Sequence, residues 1–170
     1  MAAWHFKFGL IPADGLKRVF GKADVAIIPE YVSHPDGPRY LEPEELEGLP
    51  NYWSDPTKLR QIAMGLSSFM PEMKSWSEKA RMFGNDEDER VEVWDNHVNC
   101  RINMGKVNFE LLDKLLALAQ RFDCKLVIDG TGALASADMA SLTPHVEAST
   151  AYKFCRDPEG TLRAIARTQE

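Results

Sequence analysis

The chain has 170 residues, of which 44% are hydrophobic and 27% charged, and its formal net charge is −6. This length suits one domain, and the apolar content can form a core without support from a metal ion or disulfides. Apolar runs fall far short of the ~20 residues that span a bilayer, and no signal-peptide pattern opens the chain. We therefore expect a single-domain protein of the cytoplasm.

The first half of the chain predicts two strands and two helices. The alternating segment "WHFKFGL" predicts a strand, and a short helix is expected from Pro12 until Gly21 ends it. "DVAIIPE" predicts a buried strand. Residues 29–53 are rich in proline and predict a long irregular loop. Asp55 and Pro56 provide the N-cap and first residue of a second helix, after which "KSWSEKARMFG" predicts irregular structure.

The second half gives clearer signals. "RVEVW" and "NCRINMG" flank Asp95-Asn96-His97, which predicts a hairpin. "NFELLDKLLALAQRF" predicts an amphipathic helix capped by Asn108, with Phe109 among the residues of its apolar side. "CKLVID" predicts a buried strand, a glycine-rich turn follows, and two helices separated by Asp157-Pro158 end the chain. These elements predict an α+β fold, in which helices pack against a mostly antiparallel sheet.

Metal and redox chemistry find little support in the sequence. The cysteines (Cys100, Cys124 and Cys155) are odd in number and far apart, a pattern typical of reduced thiols. The four histidines are equally scattered and form no H-x-H or H-E-x-x-H pattern. We therefore expect neither a bound metal nor a cofactor.

Two short segments hold the whole negative excess. Residues 30–50 and residues 85–95 each contain six acidic residues and one arginine, which gives each segment a net charge of −5. Such segments repel phosphate backbones, so direct binding to nucleic acid is disfavoured. They attract basic proteins, and a nucleic-acid-binding protein is a natural basic partner.

The acidic run within "FGNDEDERVEVW" has several interpretations. It lacks the glycine and the ligand spacing of a calcium-binding loop. Its adjacent carboxylates share one solvated environment, which disfavours a catalytic acid–base pair. Two interpretations stay open, a solvated turn before a strand and a patch that binds another protein.

The segment "LVIDGTGAL" suggests a second kind of site. An aspartate at the end of a buried strand, Asp129, resembles the nucleophile or metal ligand of phosphoryl-transfer loops. The haloacid-dehalogenase pattern requires Thr or Val at position 133, where this chain has Ala133. A glycine-rich turn that needs only backbone freedom explains the same residues, and we favour it.

Tyr52 and Trp53 lie beside the proline-rich acidic loop, and exposed aromatic residues beside charge are typical anchors of protein interfaces. We therefore predict a partner-binding surface from this loop and the acidic run. Its residues are Glu42, Glu44, Glu45, Glu47, Tyr52, Trp53, Asp86, Glu87, Asp88 and Glu89.

Three stretches together resemble a known group. They are "FGNDEDERVEVW", "LLDKLLALAQRFDC" leading to "LVIDGTGAL", and "YKFCRDPEGTLRAI", within about residues 81–165. This is similar to small bacterial cytosolic proteins, among them immunity proteins of polymorphic-toxin and type VI secretion systems, and in particular the immunity protein 52 family. Phe83 stands where that group has tryptophan.

The resemblance implies a non-enzymatic inhibitor of a co-encoded toxin, a nuclease of restriction-endonuclease type. A DNase presents a basic groove to DNA, and two concentrated acidic segments could dock there. The alternatives are a small enzyme acting at Asp129 and an adaptor protein of a secretion gene cluster.

Overall fold

One eight-stranded sheet organises the part of the chain that the computed structural model describes, residues 4–34 and 48–168. The strands follow the order β2-β8-β7-β1-β6-β5-β4-β3, and each neighbouring pair is antiparallel. Their bounds are β1 His5–Pro12, β2 Ile27–Val32, β3 Glu72–Met73, β4 Ala80–Gly84, β5 Arg90–Trp94, β6 Val98–Asn103, β7 Cys124–Ile128 and β8 Thr131–Ala135. The predicted α+β class with a mostly antiparallel sheet is confirmed.

Six helices accompany the sheet within the described residues. They are α1 Ala13–Phe20, α2 Pro56–Ser67, α3 Phe109–Arg121, α4 Met139–Ala148, α5 Thr150–Arg156 and α6 Pro158–Arg167. Asp55 caps α2 by accepting from the Thr57 amide, and Asn108 caps α3 by accepting from the Leu111 amide, so both predicted N-caps are confirmed. Gly21, in the left-handed conformation at φ 77°, ends α1 as expected.

The central strand β1 pairs with β6 on one side and β7 on the other. Because β6 and β7 both run antiparallel to β1, they are parallel to each other, and α3 forms the crossover that joins them. β1 is thus inserted between the two strands that this crossover joins. The N-terminal residues thus lie beside the hairpin β5–β6, although about 90 positions separate them in the sequence.

The register gives the sheet one apolar and one polar face around β1. Phe6, Phe8 and Leu10 lie opposite Ile102, Cys100 and Val98, and all six are buried. The apolar side chains of α2 and α3 join the same hydrophobic cluster, so these helices cover this face. The intervening positions of β1, β6 and β5 form the other face, which includes Lys7, Gly9, Asn99, Arg101, Arg90 and Glu92.

Several predictions about elements are wrong in informative ways. Residues 80–84, expected to be irregular, form β4, where Met82 and Phe83 are both buried and thus break the alternation typical of a strand. β2 is an edge strand of which only Ile28 is buried, and Pro29 is tolerated there because an edge strand has unpaired amides. Phe109 is exposed at the first turn of α3, and the C-terminal region forms three helices instead of two.

Two further expectations concern the thiols and the membrane. Cys100 and Cys124 are buried, Cys155 is partly buried, and all three are free. Burial raises the pKa of the Cys124 thiol to about 12. Among the described residues, no helix combines the length and apolar character needed to cross a bilayer.

Candidate partner-binding surface

The acidic run forms an ordered turn between β4 and β5. Oδ1 of Asn85 accepts hydrogen bonds from the amides of Glu87 (2.9 Å) and Asp88 (2.7 Å). The Asn85 amide donates to the Glu89 carbonyl at 3.0 Å and closes the turn. An asparagine side chain that bonds amides two and three residues ahead is a common way to fix a turn.

Side chains from β1 and β6 hold the backbone of this turn against the sheet. Nη2 of Arg101 donates to the Asp86 carbonyl at 2.5 Å, and Nδ2 of Asn103 donates to the Glu87 carbonyl at 3.1 Å. Nε2 of His5 lies 3.3 Å from the same Glu87 oxygen. The turn is therefore fixed through its carbonyl groups, and this leaves its carboxylates available for other contacts.

The four carboxylates of the run have different surroundings. Asp86 forms an ion pair with Arg90 at 2.5 Å. Glu89 is only 7% exposed, and its Oε1 accepts from the Asn108 amide at 3.3 Å, at the start of α3. Asp88 has a long contact of 3.4 Å with Nδ2 of Asn85, and the Glu87 carboxylate has no hydrogen bond or ion pair among the described residues. Two of the four acids are thus structural, and Glu87 and Asp88 remain available to a partner.

An exposed tryptophan lies beside this turn. Trp4 is 43% exposed and, with His5, forms one wall of a groove of about 620 Å³ whose other wall is the acidic turn. We call this the acidic surface; its residues are Trp4, His5, Asp86, Glu87, Asp88, Asn103, Gly105 and Lys106. Burial lowers the pKa of His5, because desolvation disfavours the charged imidazolium.

The proline-rich loop offers no comparable surface within the described residues. Glu42, Glu44, Glu45 and Glu47 lie outside the described residues. Tyr52 and Trp53 are 6% and 2% exposed, so the expectation that they are exposed is wrong. Tyr52 donates to the Glu30 carboxylate at 3.3 Å, and Nε1 of Trp53 donates to the Leu10 carbonyl at 3.0 Å. Their proximity to the acidic loop in the sequence misled the prediction, because both side chains are buried in the core.

Asp129 lies at the end of β7, beside a second cavity. Its amide donates to the Lys7 carbonyl, and the turn after it has Gly130 and Gly132 at positive φ, as the turn interpretation predicts. The cavity has a volume of about 700 Å³ and lies on the polar face of the sheet. Burial, aided by the Asp129 carboxylate, raises the pKa of Tyr31 in this cavity to about 12. The phosphoryl-transfer role of Asp129 stays an untested prediction.

The described residues contain no group of three or more His, Cys, Asp and Glu side chains that could hold a metal ion. Comparison of the chain with models of protein families, with curated proteins and with solved structures found no match.

The acidic turn could be located from the sequence, but the residues beside it could not. Trp4 and His5 join it only because β1 pairs with β6, where the Met104 amide donates to the Trp4 carbonyl at 2.9 Å. The available signal was the alternation of "WHFKFGL", which places Trp4 at the start of a strand. Nothing in that pattern specifies which strand β1 joins.

Proposed function

We propose that this protein is a non-enzymatic inhibitor that binds and neutralises a basic protein toxin in the bacterial cytoplasm. The observation that supports this most strongly is the acidic surface, where a fixed turn presents Glu87 and Asp88 beside the exposed ring of Trp4. Interfaces typically combine an aromatic anchor with charges that complement the partner. Because the turn is held before binding, little conformational entropy is lost when a partner docks.

A nuclease is the class of toxin that fits this surface best. An enzyme that cleaves nucleic acid needs a basic groove for the phosphate backbone. A preformed acidic turn can occupy or flank such a groove, and the opposite charges accelerate the encounter. The resemblance of residues 81–165 to immunity proteins supports the same proposal, because the acidic turn lies inside that stretch.

The proposal is tested by capture followed by a toxicity assay. Tagged protein is used to recover partners from its native cells, and each stoichiometric basic partner is then expressed alone and together with this chain. We expect the partner alone to arrest growth and co-expression to restore it. A partner that is harmless when expressed alone, or a toxic partner against which this chain gives no protection, would contradict the proposal.

A matched pair of variants connects the function to the surface. Glu87→Lys/Asp88→Lys reverses the two available acids, and Asp113→Lys/Glu147→Lys makes the same change of net charge at exposed positions on α3 and α4. Protection should fail with the first variant and persist with the second. Equal protection by both would remove the acidic turn from the interface.

A further inference from the structure

Two arginines face each other across the polar face of the sheet. Arg90 of β5 and Arg101 of β6 are direct cross-strand partners, and both line the 700 Å³ cavity. Like charges at directly opposed positions destabilise a sheet. Burial, together with the charge of Arg90, lowers the pKa of Arg101. The repulsion between the two charges suggests a role beyond folding.

The two guanidinium groups are neutralised to different extents. Arg90 pairs with Asp86 at 2.5 Å and with Glu92 at 2.8 Å, and its guanidinium carbon lies 4.6 Å from the centre of the Trp76 ring. Among the described residues, Arg101 has no ion pair, and its hydrogen bonds go from Nη2 to backbone carbonyls. Arg101 therefore has no ion pair of its own in the described part of the chain, although the carboxylates of Asp86 and Glu92, which pair with Arg90, also attract its charge.

Both arginines also have a buried donor without a partner. Nε of Arg90 and Nε of Arg101 are buried and make no hydrogen bond within the described part of the chain. Buried donors in folded proteins nearly always have a partner, so an unpaired one needs an explanation. Here two occur on adjacent strands, on residues that line the same cavity.

The cavity has the size and lining of a ligand site. Its volume of about 700 Å³ lies within the range of small-molecule pockets, roughly 300–1,000 Å³. Lys7 and Asn99 line it beside Arg101, while Glu30 and Asp129 lie on the side of β2 and β7. Lys7, Arg90 and Arg101 thus supply positive charge on β1, β5 and β6. Glu92 of β5 also lines the cavity but is paired with Arg90, so an anionic group would bind near Arg101.

We propose that this cavity binds a small molecule through a carboxylate or phosphate group held by Arg101, beside Arg90 and Asn99. Guanidinium groups present several donors in one plane and suit both kinds of anion. A bound anion would give Arg101 an ion pair of its own and would relieve the repulsion between the two arginines. The cavity shares no lining residue with the acidic surface, although Arg90 and Arg101 both contact Asp86, and the inference does not depend on the proposed function.

Titration of the whole protein with inorganic phosphate, and separately with acetate, tests this inference by NMR. Sodium chloride at matched ionic strength corrects for screening. We expect saturable shifts of the Nε–Hε signals of Arg90 and Arg101 and of the Asn99 amide, with the stronger binder identifying the class of anion. Phosphate and acetate titrations that both leave these signals unmoved would overturn the inference.

Two variants test whether Arg101 holds the bound anion. Arg101→Met keeps the apolar stem without the charge and should weaken binding about tenfold or more. Arg81→Met is the control, because Arg81 is an exposed arginine of β4 that pairs with Glu72. Unchanged affinity in Arg101→Met, or an equal loss in both variants, would contradict the assignment.

Arg101 also holds the acidic turn, so Arg101→Met could unfold the protein. In that case the Arg101→Lys variant is measured instead. Lysine keeps the charge but lacks the planar set of donors, so this variant should bind the anion several-fold more weakly than the parent protein does. Full affinity in Arg101→Lys would overturn the role of the guanidinium. If the captured protein partner shifts the Arg90 and Arg101 Nε signals while neither anion does, the pair belongs to a protein interface and the inference fails.

Discussion

The residues of the acidic run differ in what each carboxylate contacts. Asp86 forms an ion pair with Arg90. Glu89 accepts a hydrogen bond from the backbone amide of Asn108, the N-cap residue of α3. The Glu87 carboxylate has no hydrogen bond or ion pair among the described residues. Sequence alone presents these acids as equivalent, because the difference depends on which side chains the sheet brings to the turn. Their removal should therefore have unequal consequences.

Glu89→Ala should destabilise the protein by about 1–3 kcal/mol, because it leaves the Asn108 amide without its acceptor at a nearly buried position. Urea denaturation measures the change. Glu87→Ala is the control and should stay within about 0.5 kcal/mol of the parent protein. Equal effects of the two substitutions on the free energy of unfolding would show that the contact between Glu89 and Asn108 does not stabilise the protein.

Gly15→Ala should also destabilise, although alanine is the better helix former by about 1 kcal/mol. A Cβ at position 15 would lie 2.2 Å from the backbone carbonyl oxygen of Tyr52, which cannot move without shifting the buried Tyr52–Trp53 segment. At Gly65 the nearest atom is a methyl group of Leu118, which can rotate away, so Gly65→Ala should cost less. Thermal unfolding compares the two variants, and a stabilised Gly15→Ala protein would refute this packing.

Helix ends are the elements that the sequence predicted best. An N-cap acts within three or four residues, so Asp55 and Asn108 could be identified from local sequence. β4 was missed because a short strand that is buried on both faces lacks the alternation of apolar and polar residues that marks a strand in the sequence. The burial of Met82 also depends on residues far away in the chain. Local rules therefore identified where α2 and α3 begin, whereas tertiary packing decided the short strand β4.

The N-cap of α4 predicts a pH dependence. Hydrogen bonds from the Ser141 amide, and then from its hydroxyl, lower the pKa of Asp138. Because the folded pKa lies below the unfolded value, this contribution is present above the unfolded pKa and is lost as pH falls through the folded one. Stability should thus decline as pH falls below about 4.

Asp138→Asn isolates that contribution, because asparagine also caps helices but does not titrate. Thermal unfolding at a series of pH values between 6 and 3 should show a smaller decline for Asp138→Asn than for the parent protein. Identical declines would mean that Asp138 does not contribute to the acid sensitivity. The midpoint of thermal unfolding at pH 6 verifies that the Asp138→Asn protein folds.

At the scale of the whole molecule, the candidate surface is a product of topology. The acidic turn follows from local sequence, and its position before β5 was predicted, whereas β4 on its other side was not. Trp4 and His5 reach it through the pairing of β1 with β6, and Arg101 reaches it through the register of β5 with β6. A single sequence does not specify such pairings, since several strands could satisfy the same alternation.

Trp4→Ala should weaken partner binding about tenfold or more while changing stability little, since the ring is nearly half exposed. Calorimetric titration with the purified partner measures the affinity. Met64→Ala, at an exposed apolar position on α2, is the control and should leave the affinity unchanged. Loss of affinity in both variants would point to a general effect of surface changes.

The most direct test of the account is the affinity of the captured toxin for three proteins, measured at low and at physiological salt. They are the parent protein, Glu87→Lys/Asp88→Lys and Asp113→Lys/Glu147→Lys. The account predicts that the acidic-turn variant alone loses tenfold or more in affinity, about 1.4 kcal/mol per factor of ten, and that salt weakens the parent complex. Equal affinities for all three proteins would show that the toxin binds elsewhere and would contradict the central claim.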